Sequence, residues 1–494
     1  MEATLSPPKK FLETPLAFAL VVLIGNAIAW AIPGNVIKMI AREQPIVLGR
    51  YSRAHFCWLV FALVLSAIAV FIRWAPSAAA RKRRAFILVA GCLGLVPALF
   101  IVDLSLRMRT EYPYAPDAHV FHRPPGAKYE LPYEDVPECR RSFPKTPVGY
   151  GRVECVMSYD AQGFRNLTNP DTCDIITLGD SFTEGSRVSD GETWPDILAA
   201  QSGLSVYNLG MSGYGAPEYL ASLEYFGISK KPRLVICMLY EGNDFRSDNL
   251  EPHAGVTAKQ ILATSPIIVA INNFLCQQLG AIGATRELPG MEPLAWLPLT
   301  IPSTPEGRHY AFPAKQLTEL YITPEKLENE GAWFVITSKL KEMKKLCNAG
   351  GATLAVAYAP NKAHVLFPLV ADRLDAANVR RYMEFKKRVL KAPEGKDFMP
   401  SILVSLDNHE KHVREWCERR DVLFISLTKP MRDAVAAGTQ TYYTYDQHWS
   451  PAGHVAAANC VIEALRKEPV LAALFESPAR AQSSKMAQGS SEGP

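Results

Sequence analysis

An α/β fold, built on a mostly parallel sheet flanked by helices and preceded by an N-terminal transmembrane helical region, is predicted for this 494-residue chain by three observations. Beyond Asp174, apolar strand candidates at 174–178, 204–208, 233–239, 352–358 and 421–426 alternate with helical stretches near 193–202, 216–229, 329–348, 376–391, 401–419 and 451–466. Such alternation joins parallel strands by helical crossovers, which cover both sheet faces. Ahead of it, residues 16–32, 56–72 and 85–104 are three apolar runs, each close to the roughly 20 residues that a helix needs to cross a bilayer. Finally, 48% hydrophobic residues in a chain of this length suffice for a large core and a second region.

The apolar runs come first in the chain. The first is short and carries Asn26, and the third carries Pro97 and ends at Asp103. A cleaved signal peptide is the alternative for the first run, but the two later runs would still anchor the chain. Lys9, Lys10 and the Arg73–Arg84 cluster outweigh Lys38, Arg42, Arg50 and Arg53. Basic residues are retained on the cytoplasmic side, so the amino terminus is expected inside and the large domain outside the membrane, in the periplasm of a Gram-negative cell. The net charge of +4 is mild and its basic residues sit beside apolar segments, which gives no reason to invoke a nucleic acid.

Residues 1–104 thus form a membrane region with about three transmembrane helices, and 105–173, rich in Pro, Tyr and Arg, form a connector that packs against the domain. The domain proper is 174–466, with an insertion at 247–328, and 467–494 is a tail expected to be largely disordered. Within the insertion, 259–280 is apolar but interrupted by Pro266, Asn272, Asn273, Gln277 and Gln278, so a fourth span is not expected. Two readings of it stand, a surface helix or lid near the site and a packing insertion. The ten cysteines contain no Cys-x-x-Cys pair, which argues against a zinc ribbon or a thioredoxin-type redox motif. Cys139, Cys155 and Cys173 are close enough in sequence for one local disulfide if exported, with buried free thiols as the alternative.

Four short blocks fall at strand ends. Gly179-Asp180-Ser181 follows the first strand, Asn208-Leu209-Gly210-Met211-Ser212-Gly213 the second, and Tyr240-Glu241-Gly242-Asn243-Asp244 the third. Tyr445-Asp446-Gln447-His448-Trp449-Ser450-Pro451 comes near the end of the fold. Carboxyl ends of strands are where open α/β sheets keep their chemistry. A serine hydroxyl becomes a nucleophile only when a base removes its proton, so Ser181 needs His448, and Asp446 would hold the imidazole's tautomer. Asp180 is expected to satisfy turn amides and Trp449 to pack beside the histidine. Asp407, His409 and His412 could be drawn as metal ligands, but a solvated helical face is the expectation, with no metal and no cofactor.

In this order the blocks resemble the SGNH hydrolases, or GDSL-type esterases, over about 174–466. The resemblance implies Ser181, His448 and Asp446 as catalytic residues. It also implies an oxyanion hole from the amides of Ser181 and Gly213 and the side chain of Asn243, with Gly210 as the fallback for the glycine turn. Ordinary esterases of this superfamily usually carry Asp-x-x-His, whereas here Asp446-x-His448 precedes Trp449. That form, with Ala359-Pro360-Asn361-Lys362-Ala363-His364 upstream, is similar to the alginate O-acetyltransferase group, which acetylates exopolysaccharide outside the cytoplasmic membrane. In that group the Asp-x-His block precedes the serine block; here Ser181 comes first, as in the hydrolases.

The expected protein is therefore a membrane-anchored serine esterase acting on an ester-bearing carbohydrate or lipid. The alternative is an O-acyltransferase, which would need a membrane acyl-donor partner because the spans offer no intramembrane histidine or glutamate to handle a donor. A noncatalytic carbohydrate-binding or scaffold protein is the rival from another class, and its expected mark is a damaged triad. Transport by the helices is weaker still, since Asp103 at a span's end is their charged residue.

Overall fold

The computed structural model describes residues 14–32, 47–48, 50–107, 115–116, 120–135, 149–245, 266–279, 308–312, 316–317, 320–377, 379–380 and 397–475. The chain divides into two compact units, one of residues 1–110, 138–146 and 256–289, the other of 111–137, 147–255 and 290–494.

The first unit is helical. Helix Pro15–Ala31 begins at Thr14, whose hydroxyl accepts the Ala17 N–H at 3.2 Å, with proline at the first helical position. Asn26, the polar residue that interrupts this run, donates at 2.9 Å to Ser66 Oγ on helix Arg53–Arg73. Such a bond ties two apolar helices to each other. Helix Ala78–Arg107 follows and continues through Pro97. Arg84 at its start donates to the Phe71 carbonyl at 2.5 Å, satisfying one of the orphan acceptors at the preceding helix's end. Ala54–Arg73 and Ala78–Asp103, with mean hydropathies of 2.5 and 2.7, are long and apolar enough to cross a membrane; Pro15–Ala31 is apolar but shorter. Many of their large apolar side chains, Phe61, Val64, Leu93 and Phe100 among them, are exposed.

The middle of the insertion belongs to this unit. Helix Pro266–Asn273 continues into a π-helical turn, Phe274–Leu279, where Leu275 packs with Val47, Tyr51 and Leu59 and the Leu279 carbonyl accepts the Leu48 N–H at 3.1 Å. Most of the rest of 247–328 lies outside the described residues.

The second unit holds the α/β fold. An antiparallel hairpin of β1 (Lys128–Glu134) and β2 (Arg152–Ser158) lies within the stretch read as a connector. Strands β3 (Ile175–Leu178), β4 (Val206–Asn208), β5 (Leu234–Tyr240), β6 (Thr353–Ala359) and β7 (Leu423–Ser426) form one parallel sheet in the order β4-β3-β5-β6-β7. Alternate residues of the buried central strand β5 feed two cores. Leu234, Ile236, Met238 and Tyr240 pack with Trp194, Phe367 and Val461 on one face. Val235, Cys237 and Leu239 pack with Tyr219, Leu340 and Val413 on the other. Burial on both faces is why these strands read as near-continuous apolar runs.

Helices cover the sheet much as the alternation predicts, with differences of detail. The 216–229 stretch is an α-helix, Ala216–Ser222, that loosens into a π-turn, Leu223–Gly227, and a short 3₁₀ turn. The 401–419 stretch is two helices, Phe398–Ser405 and Asn408–Glu418. The helix predicted at 376–391 lies largely outside the described residues. Helices Lys362–Val370, Thr428–Ala436 and Pro469–Phe475 add to the prediction, the last of them within the stretch read as tail. Cys155 and Cys173 are buried free thiols, and Cys139 lies outside the described residues.

Candidate active site

The order β4-β3-β5 makes β3 the strand at which the chain's winding reverses, so a crevice opens beyond the carboxyl ends of β3 and β5. Ser181 follows β3 there. Asp180 caps the one-turn helix Ser181–Glu184 by accepting the Phe182 N–H at 2.9 Å, and Gly185 closes the turn in the left-handed conformation with φ of 82°. A Cβ at Gly179 would stand 2.1 Å from Thr183 Oγ1, so the tight turn requires glycine.

The final block converges on this turn. His448 Nε2 lies 2.8 Å from Ser181 Oγ, and its Nδ1 lies 2.5 Å from Asp446 Oδ1. Asp446 Oδ1 also accepts the His448 backbone N–H at 2.9 Å, so the two-residue spacing closes a small ring that fixes the imidazole. With Nδ1 protonated and facing the carboxylate, Nε2 is free to accept the serine proton. Burial alone would push the Asp446 carboxyl up, but the facing His448, its backbone N–H and Arg187 hold it well below the usual carboxylate range. Arg187 Nε sits 3.5 Å from Asp446 Oδ2 and its guanidinium lies over the Tyr133 ring. Trp449 is fully buried with its ring edge on Phe182, which also packs on His448, as expected of a residue that shapes the floor.

The donors predicted for an oxyanion lie in neighbouring loops. In the glycine turn after β4 the Gly210 N–H donates to Asn208 Oδ1, Met211 to Gly179 O, Ser212 to Glu184 Oε2 and Tyr214 to Met211 O. The fallback Gly210 amide is thus already used. A Cβ at Gly210 would stand 2.6 Å from the Glu184 nitrogen, so its role is to let the turn press against the serine turn. Gly213 is exposed and has φ of 89°, a conformation glycine adopts without strain. Asn243 Nδ2 donates to Asp180 Oδ2 at 2.6 Å, and an amide nitrogen carries a second N–H. Asp180 therefore does more than satisfy the turn, because it also aims Asn243. Its carboxyl is raised by burial, against the opposing pull of the Phe182 N–H and Asn243.

Buried charges brace the loops. Glu184 accepts from Tyr159 OH at 2.8 Å and from the Ser212 N–H at 2.9 Å, and pairs with Arg123 at 3.1 Å. Burial pushes Glu184 up, and Arg123 with these hydrogen bonds more than reverses it. Glu241 Oε2, two residues before Asn243, accepts the Asn361 N–H at 2.8 Å and lies 2.9 Å from His364 Nδ1, whose Nε2 meets Asp407 at 2.8 Å. Held between two carboxylates, His364 is raised to about 9 despite burial.

One expectation is corrected here. His409 and His412 are buried, His409 against Phe245 and 3.7 Å from Glu241, His412 against Trp333, so helix Asn408–Glu418 does not present them on a solvated face. Their polarity suggested exposure, but both rings pack against aromatic side chains. Among the described residues no group of three or more His, Cys, Asp or Glu could hold a metal ion. Sequence reasoning missed Asp135 and Lys362, which bind the backbone of the Asp446 loop, and the Asp180–Asn243 bond. Lys362 stood inside a quoted block, while Asp135 carried no signal in a stretch without periodicity.

The parallel α/β sheet thus carries serine, histidine and aspartate in one hydrogen-bonded chain beyond its strand ends. Residues 402–492 match the family described as ALGX, the SGNH hydrolase-like domain of acetyltransferase AlgX. Among curated proteins, none matches the chain. Similar solved structures include a putative lipolytic G-D-S-L protein from Desulfitobacterium hafniense DCB-2, 11% identical, covering 59% of this chain and 99% of that one with a TM-score of 0.29. A lipolytic G-D-S-L protein from Veillonella parvula DSM 2008 is 10% identical, covering 60% and 99%, with a TM-score of 0.28. A catalytic mutant of Axe2, an acetylxylan esterase from Geobacillus stearothermophilus, is 13% identical, covering 60% and 95%, with a TM-score of 0.29.

Proposed function

We propose that this chain is a membrane-anchored serine esterase of the SGNH type that cleaves acyl esters, on carbohydrate, outside the cytoplasmic membrane. The observation that carries the reading is the unbroken hydrogen-bonded chain from Ser181 through His448 to Asp446. Ser181 Oγ attacks the acyl carbonyl while His448 Nε2 takes its proton, and the Asp446 carboxylate stabilises the imidazolium. The amides of Ser181 and Gly213 and the side-chain amide of Asn243 receive the oxyanion. Collapse breaks the bond to the leaving oxygen, which takes the proton from His448 and leaves acyl-Ser181. Water then attacks the acyl group as His448 takes its proton, and collapse of the second tetrahedral intermediate breaks the bond to Ser181 Oγ, which takes that proton back from His448 as the free acid leaves. No metal or cofactor enters this scheme.

Residues 1–104 serve as the anchor in this reading, supported by two helices long enough to span and by the basic residues that flank them. A second reading replaces water by a sugar hydroxyl. It is favoured by the acetyltransferase domain whose family model matches the stretch containing Asp446 and His448, and it requires a membrane partner to deliver acyl groups.

Mass spectrometry of the full chain in detergent, incubated with an activated acetyl ester with and without an oligosaccharide, tests both. Acetyl on Ser181 that water clears makes the protein an esterase, and acetyl that moves chiefly to the sugar makes it a transferase. Ser181→Ala is expected to abolish the adduct with folding intact; turnover at the wild-type rate in that variant removes Ser181 as nucleophile.

A further inference from the structure

We infer that Asp135 and Lys362 are positioning residues that grip the backbone of Tyr443–Asp446 from opposite sides and thereby aim Asp446 and His448 at Ser181. The inference rests on the acyl-serine reading above. Asp135 directly follows strand β1 and is buried. Its Oδ2 accepts the Thr444 N–H at 2.7 Å and its Oδ1 accepts the Tyr445 N–H at 3.0 Å, with the Asp446 N–H at 3.4 Å. The same carboxylate accepts the Tyr150 N–H at 2.8 Å and the Tyr133 hydroxyl at 3.2 Å, so the hairpin holds it in place. Five donors converge on one side chain.

Lys362 begins helix Lys362–Val370 and is fully buried. Its ammonium donates to the carbonyls of Thr444 at 2.9 Å, Asp446 at 3.0 Å and Tyr443 at 3.3 Å. An ammonium has three donors, and backbone carbonyls take all of them. The loop's N–H groups thus face an anion and its carbonyls a cation, which orients every peptide from Tyr443 to Asp446. Burying a lysine is costly unless it is paired, and a hydrophobic residue would fill this space without that cost. Burial pulls the lysine down to about 8, with Asp135 and Asp446 opposing the fall. A charge retained against such a penalty, on the backbone of the very residue that orients the base, is explained by the alignment it enforces. Asp446 then reaches His448 at 2.5 Å, and a misplacement of about 1 Å at such a point can lower a rate by about 10²-fold.

The test uses the full chain in detergent carrying Asp135→Asn or Lys362→Met, each close in size to the native residue. Three quantities are read: turnover of an aryl acetate per serine labelled in an active-site titration, its KM, and hydrogen exchange of the peptide Gln440–Trp449. The expected result is a fall of about 10- to 100-fold in kcat per labelled serine with KM held within about twofold, together with faster exchange at Thr444–Asp446. A folded variant with wild-type kcat overturns the inference, as does faster exchange that leaves kcat unchanged. If neither variant folds, wild-type exchange decides, because a gripped loop exchanges slowly and rapid exchange at Thr444–Asp446 removes the grip. Failure of the acyl-serine reading is distinguishable: wild-type protein then labels nowhere and turns nothing over, while the exchange comparison still reports whether these side chains hold the loop.

Discussion

Asn243 shows how much of this site depends on one side chain being aimed by another. Its amide donates at 2.6 Å to Asp180, whose other oxygen caps the serine turn, so the serine and the asparagine are fixed by the same carboxylate. Replacing Asn243 with alanine should lower kcat by about 10²–10³-fold without unfolding the protein, as removal of one oxyanion donor does elsewhere. Single-turnover acylation compared with the circular dichroism of the variant checks this, and a loss under about threefold would remove Asn243 from the oxyanion role. Arg187 offers a contrast. Its side chain is 47% exposed and stands 3.5 Å from Asp446, so water screens the pair and Arg187→Ala should change the same acylation rate only a few-fold. Sequence patterns made Ser181, Gly213, Asn243, Asp446 and His448 visible because each lies in a loop after a strand or in a compact polar block. Asp135 stayed hidden for a physical reason, since its partners in the Asp446 loop are backbone amides 309 and 310 residues away and periodicity reports faces, not distant partners.

Elements were legible in proportion to how strongly local signals agreed. Ser450-Pro451 opens helix Pro451–Lys467 with serine at the cap and proline at the first turn, and the helix appears where those residues predict it. The break between Phe398–Ser405 and Asn408–Glu418 was less legible, because it spans only Leu406 and Asp407 and the Asp407 side chain is engaged by distant His364 instead of capping the second helix. The hairpin of β1 and β2 was missed as well, its proline and tyrosines reading as loop although all seven residue pairs of its register form. One element carries a sharp test. A Cβ at Gly453 would stand 2.1 Å from the Thr441 carbonyl and 2.8 Å from Trp449 Cβ, so the first turn of helix Pro451–Lys467 lies against the loop that bears His448. Gly453→Ala should destabilise the protein by about 1–3 kcal/mol through overpacking. It should also slow acylation, because the strain is relieved by moving that loop. Thermal midpoints and acylation rates measured on one preparation check both, and an unchanged midpoint would mean that the helix can shift freely.

Across the whole molecule, buried histidines give stability a pH dependence that surface charge alone would not. His364 is held near 9 between Glu241 and Asp407, whereas His409 and His454 are pushed down by burial to about 4 and about 3. An unfolded histidine titrates near about 6.5. Between that value and about 9 the native state binds the His364 proton more tightly than the unfolded chain, so its contribution is complete below about 6.5 and is lost as pH rises. For His409 and His454 the unfolded chain binds the extra protons below about 6.5, so stability falls as pH falls through that range. The carboxyl of Asp446, held low, adds to the acid loss further down. Lys362, lowered to about 8, acts in the opposite sense to His364, because from about 8 upward the unfolded chain holds the proton that the native state releases. The interval between about 6.5 and 8 therefore isolates His364 from Lys362. Urea midpoints followed by tryptophan fluorescence should fall from pH 6.5 to pH 8 in the wild type and change less in His364→Gln, whose side chain cannot carry the proton. Groups such as Asp180 and Asp244, which burial raises, are present in both proteins and cancel in the difference. The variant should also be less stable than wild type at pH 6.5, since Glu241 is fully buried and loses a charged partner. Equal slopes in the two proteins would mean that His364 is neutral in the native state, and Glu241 would then be held by the Asn361 amide and the imidazole's hydrogen bond alone.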